Sequence, residues 1–185
     1  MKHRLRVCTT GEEEIERETT LEISEKDGVL TFVFIAKNSQ YYCPFQGEYN
    51  KIHAEGDVCE VFIGSHPDRT EYYEMEITPK GDLMLARMVY HGEGQDGPIM
   101  EINFVEKPFV TTNVELFENG YMVSLSFKKS AILTGEGEIY FNAYRIDTDG
   151  GKCLDDCQLG YALNPTMRPK FHTPSKFVFL KDFCK

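Results

Sequence analysis

"ENGYMVSLSF", Glu118 to Phe127, is the stretch whose reading decides the fold. Its first three residues are a turn signal, and beyond them Tyr121, Val123, Leu125 and Phe127 alternate with Met122, Ser124 and Ser126. Successive side chains of an extended chain point to opposite faces, so this period of two sets the four large residues on one buried face. A helix would need apolar residues three and four apart. The stretch therefore reads as a β-strand with one face in a core.

Working outward, runs of the same kind recur: "RLRVCTT", "TTLEIS", "VLTFVFIA", "DVCEVFIG", "TEYYEMEIT", "DLMLARMVY", "IMEINFV", "VTTNVELF", "EIYFNAYRID" and "KFVFL". Between them stand "KDG" (Lys26 to Gly28) and "PKGD" (Pro79 to Asp82), residues that suit hairpins and β-turns. "VLTFVFIA" (Val29 to Ala36) is apolar at both parities and is expected to be a central strand covered on both sides. Two packed antiparallel sheets accommodate such a strand, so the expectation is an all-β sandwich, jelly-roll-like, with little helix. The one helical candidate is a turn or two in "KKSAILTG" (Lys128 to Gly135). No repeat or linker divides the chain, and residues 1–185 are expected to form a single domain. One interval stands out: between "EIYFNAYRID" and "KFVFL" lies a long polar stretch, expected to be a loop that carries a small-molecule site.

Thirty acidic against twenty basic residues give a formal charge of −10. That balance repels a phosphate backbone, and with no basic patch in the sequence a nucleic-acid partner is not expected. The opening "MKHRLRVCTTGEEE" has no apolar core of a secretory signal, and no run of eighteen apolar residues occurs. Six cysteines in 185 residues are too few for a disulfide-dense scaffold. A protein of the reducing cytoplasm, or an extracellular one if a signal has been removed, is expected, without a membrane partner.

In "DVCEVFIG", Cys59, Val61 and Ile63 share one face while Glu60 lies on the other with Val58 and Phe62. A carboxylate among apolar neighbours needs a partner: an Arg or Lys, or the hydroxyls of a ligand in a cleft. Arg87, alternating with Leu83, Leu85 and Val89, is the natural counter-ion, and such a pair would make a hydrogen-bonding floor for a polyol. A metal site can be drawn from Cys153, Cys157 and His172, but the spacing lacks the second half of a zinc pattern. "RIDTDGG" offers Asp147 and Asp149 beside a glycine turn as oxygen ligands for calcium, or is an ordinary acidic turn. The motifs of serine hydrolases, zinc proteases and phosphate-binding loops do not occur, and no enzyme activity is expected.

The order "GDVCEVFIGSHPDRTEYYEMEITPKGDLMLAR", "GYMVSLSFKKSAIL", "EIYFNAYRID", "PTMRPKFHTPSKFVFL" resembles the family 9 carbohydrate-binding module and its stand-alone relatives, over roughly residues 20 to 182. The resemblance implies a β-sandwich that binds sugars without catalysis, accompanies glycoside hydrolases in carbohydrate catabolism, and in some members holds calcium. It implies that Glu60, at the acidic position of the D-x-x-E strand, bonds sugar hydroxyls, that Arg87 lines the same cleft, and that Asn142 and Tyr144 line it from "FNAYR". Phe171 stands where the family places an aromatic that stacks on a pyranose. The second stacking residue of the family, a Trp, is replaced by "KIHAEGD", so His53, or Tyr41 and Tyr42, would take its place. Sugar binding is the function expected. A sandwich whose sugar site has decayed into a protein-interaction or oligomerisation module is the alternative.

Overall fold

The computed structural model describes residues 2–38, 40–44, 56–95, 97–106, 108–133, 137–151, 160–168 and 170–184. Its strands in chain order are β1 (Lys2–Arg4), β2 (Arg6–Val7), β3 (Thr19–Lys26), β4 (Val29–Lys37), β5 (Val58–Gly64), β6 (Glu71–Ile77) and β7 (Leu83–Glu93). They continue as β8 (Pro98–Phe104), β9 (Thr111–Phe117), β10 (Gly120–Lys128), β11 (Tyr140–Ile146), β12 (Gly160–Ala162) and β13 (Val178–Phe179). Every pairing among the described residues is antiparallel. The smaller sheet runs β1-β3-β4-β10-β9 and the larger β2-β12-β11-β5-β6-β7-β8, with β13 also on β11. The "KKSAILTG" candidate is a single 3-10 turn, Lys129–Ala131.

Local chemistry explains the hairpins. Asp27 and Gly28 both have positive φ, at 51° and 75°. That is the pattern of a two-residue turn whose twist matches its strands, and it sets the register Lys26↔Val29 between β3 and β4. At the other hairpin of this sheet a Cβ on Gly120 would lie 2.1 Å from the carbonyl oxygen of Ala36, so only glycine lets β10 come this close to β4.

The inner faces carry the core. Leu30, Phe32, Phe34 and Ala36 of β4 and Tyr121, Val123, Leu125 and Phe127 of β10 meet Cys59, Val61 and Ile63 of β5 and Phe141 and Ala143 of β11, all buried. The alternation read from "GYMVSLSF" is the one observed. Leu5, buried between β1 and β2, is where the N-terminal chain passes from one sheet to the other. The expectation for β4 needs correcting: its second face, Val29, Thr31, Val33 and Ile35, is only half-buried, because nothing described packs over the smaller sheet. The strand buried on both faces is β5.

Candidate functional site

Since β5 and its neighbours are buried on both sides, the outer face of the larger sheet has its own chemistry. Register aligns two rows across it. One reads Tyr144↔Glu60↔Glu76↔Met84 and the other Asn142↔Phe62↔Glu74↔Ala86↔Phe104. Directly paired residues share a face, so Glu60, Glu74 and Glu76 are brought together, with carboxylate oxygens all within 4.8 Å of one another. Their exposures are 1, 4 and 0% respectively. Burial, then the charge of Glu76 and its hydrogen bond, push the Glu74 carboxyl well above the usual carboxylate range. A carboxyl that keeps its proton beside further carboxyl oxygens supplies both a donor and acceptors, the pattern that hydroxyl groups require.

Asn142 and Tyr144 sit beside this trio on β11 but are engaged by protein. The Asn142 Oδ1 accepts from the backbone N–H groups of Ala143 and Asn164, at 3.0 Å each, and its Nδ2 donates to the Asn164 carbonyl at 2.9 Å and the Tyr144 hydroxyl at 2.8 Å. The Tyr144 hydroxyl donates to the Phe171 carbonyl at 2.9 Å. Phe171 stacks on Tyr144 with ring centroids 4.4 Å apart and planes 11° from parallel, and is only 8% exposed. His172 stacks on Phe62 at 4.9 Å, is hydrogen-bonded through Nδ1 to the Tyr72 hydroxyl at 2.9 Å, and brings Nε2 to 3.8 Å from Glu74. Phe177 meets Tyr72 edge-on at 5.1 Å. The long polar stretch between β11 and β13 thus contains the short strand β12 and then a strap, residues 163–168 and 170–177, laid over this face. The ring of Phe171 anchors that strap, which leaves little of it for a ligand.

Arg87 is not Glu60's counter-ion. Its cross-strand partners are Tyr73 and Asn103, on the face opposite Glu60, and its guanidinium is ion-paired with Glu71 near the sheet margin. The positions of β7 that do face the trio are Met84 and Ala86. His53 lies outside the described residues, as do Cys153 and Cys157. Tyr41 turns its ring inward, against Tyr121 at 5.9 Å. Four other cysteines, Cys8, Cys43, Cys59 and Cys184, are free thiols.

The calcium candidates belong to a buried ion network at one end of the sandwich. Arg145, on the core face of β11, donates to the Tyr121 hydroxyl at 3.1 Å, the Thr19 Oγ1 at 2.9 Å and Asp147 at 2.7 Å. Asp147 also accepts from the Asn38 Nδ2 at 3.3 Å and the Asp149 N–H at 3.0 Å. Asp149 meets the Arg17 Nη2 at 2.6 Å. Asp57 accepts from Asn38 at 2.7 Å and from the Thr148 hydroxyl at 2.6 Å, while burial still raises its carboxyl above the ordinary value. N–H donors and two guanidinium groups engage both oxygens of Asp147 and the Oδ1 of Asp149, so a calcium ion would have to compete with two arginines there.

No family model matches the sequence, and no curated protein is similar enough to it to count as a relative. Three solved structures are similar in fold. A candidate carbohydrate-binding protein from Bacteroides uniformis matches with a TM-score of 0.72 at 16% identity, over 96% of this chain and 84% of its own. A family 9 carbohydrate-binding module from Caldicellulosiruptor kristjanssonii in complex with cellotriose matches at 0.58 and 12% identity, over 96% and 79%. A family 9 module from that organism in complex with glucose matches at 0.56 and 11%, over 95% and 82%. The chain has the fold of the family 9 carbohydrate-binding modules. Glu74, Glu76 and Arg145 escaped the reading of the sequence, although alternation in "TEYYEMEIT" and "EIYFNAYRID" already places the first two beside Tyr72 and the third on the core face.

Proposed function

We propose that this protein binds a mono- or oligosaccharide without cleaving it, on the outer face of the larger sheet, and that it serves carbohydrate catabolism. The observation that carries the reading is the trio Glu60, Glu74 and Glu76. Carboxyl groups are costly to bury, and three of them gathered on one patch of two adjacent strands are better explained by a polar ligand than by apolar packing. The fold is the one on which the family 9 modules above hold cellotriose and glucose. Because the trio is enclosed, ligand entry has to loosen its cover, including the strap at 163–168 and 170–177. A glycan array with and without calcium tests the reading. Calcium-independent binding of a defined glycan class that weakens in Glu76→Gln and not in Arg87→Ala supports it; an array with no signal contradicts it.

A protein-interaction module is the second reading. It is favoured by Ile99, Ile102 and Phe104 on β8 and Leu116 and Phe117 on β9, all exposed on the edge strands of the two sheets. A concentration-dependent oligomer in sedimentation, abolished by Phe104→Glu, would favour it over sugar binding.

A further inference from the structure

At the end of the sandwich where β4 leaves the smaller sheet, a pocket of about 450 Å³ opens to solvent. That volume falls among small-molecule sites, roughly 300–1,000 Å³. None of its lining residues belongs to the carboxylate trio. Lys37, Asn38 and Gln40 come from the end of β4, Phe117 and Asn119 from the β9–β10 hairpin, and Arg17 from the chain before β3. Glu16 and Asp149 complete the wall.

Three features describe what would fit. Phe117 is 45% exposed, an aromatic ring left open in an otherwise polar wall. The charged groups are balanced: Arg17 is paired with Asp149 at 2.6 Å and Lys37 with Glu18 at 2.8 Å, so neither an anion nor a cation is favoured. Asn38 and Arg17 are held in place from beneath. Asn38 accepts from the Gln40 N–H at 2.8 Å and donates to Asp57 at 2.7 Å, and the Arg145–Asp147 ion pair supports both Asn38 and Arg17. An aromatic ring beside one fixed amide, two further amides and neutralised ion pairs matches a neutral ligand with one apolar face and a rim of hydroxyls.

We propose that this pocket is a second saccharide site, in which Phe117 contacts the apolar face of a pyranose and Gln40, Asn119 and the Arg17–Asp149 pair bind its hydroxyls. The choice of ligand class rests on the saccharide reading above; the location does not. The test is an amide-detected NMR titration of isotope-labelled protein with glucose and cellobiose, on wild type, Glu76→Gln, Phe117→Ala and Gln40→Ala. Saturable shifts at the amides of Lys37, Gln40 and Asn119 are expected, and they should persist in Glu76→Gln. Phe117→Ala should weaken them by about fivefold or more with the remaining spectrum unchanged. Gln40→Ala gives the same reading should Phe117→Ala perturb the hairpin. Shifts confined to the strands that carry the trio would overturn this proposal and leave the first reading intact. Shifts at Lys37, Gln40 and Asn119 that are equal in both pocket variants and wild type would also overturn it. No shift anywhere with either sugar would overturn both.

Discussion

Glu74 shows how one residue can report on the whole face. Its carboxyl is fully enclosed and faces Glu60, Glu76, His172 and Tyr72. Its pKa is raised in the fold, so the folded state holds a proton that the unfolded state releases above the ordinary value of 4.5. The stability linked to that proton is fully present below about pH 4.5 and is lost as pH rises through the raised value. Melting temperature should therefore fall as pH is raised from the ordinary carboxylate range toward neutrality, and Glu74→Gln should flatten that fall. A wild-type profile that rises with pH over this window would show Glu74 ionised in the fold. Phe171 gives a second residue-scale expectation. A buried ring lost from its stack on Tyr144 should cost about 3–5 kcal/mol, or on the order of 10 °C in melting temperature for a chain of this size. An unchanged melt with lost sugar binding would return Phe171 to the ligand. Part of the site was legible at this scale: alternation alone set Glu60 opposite Cys59, Val61 and Ile63. Its partners were not, because pairing Glu60 with Glu76, and Glu76 with Met84 rather than Arg87, is a register between strands that no local pattern states.

At the scale of elements, the strands were readable because each half-buried strand writes its period into the sequence, and the hairpins because "KDG" and "ENG" have few alternative conformations. The strap was not, because Asn164, Phe171, His172 and Phe177 have no period; their order comes from partners on β11, β5 and β6. The strand β12, three residues long, was hidden for the same reason. The acidic turn after β11 looked like a cation site because its arginine partners come from elsewhere, Arg17 from before β3 and Arg145 from the core face of β11. Removing Arg145 would take from the buried Asp147 its nearer cation, 2.7 Å away, and leave it with Arg17 at 3.7 Å. Arg145→Met should destabilise by about 3–5 kcal/mol, read by chemical denaturation. Calcium that restored the variant's stability would show that the oxygens, once freed, form a cation site after all.

For the molecule as a whole, the two sheets differ in what their outer faces do. The smaller sheet leaves its outer face half-open, while the larger covers its own with a strap and encloses three carboxylates there. That difference supports the proposal that the trio on the larger sheet contacts a sugar. The measurement that bears on this most directly is calorimetric titration of wild type and Glu60→Gln with glucose, cellobiose and xylobiose, with thermal melts alongside. Saturable heat from at least one sugar is predicted in the wild type. In Glu60→Gln the affinity should fall about tenfold, the equivalent of roughly 1.4 kcal/mol for a lost charge-assisted hydrogen bond, with little change in melting temperature. No heat from any sugar, with Glu60→Gln altered only in its melting temperature, would contradict the account and leave the carboxylates a structural feature.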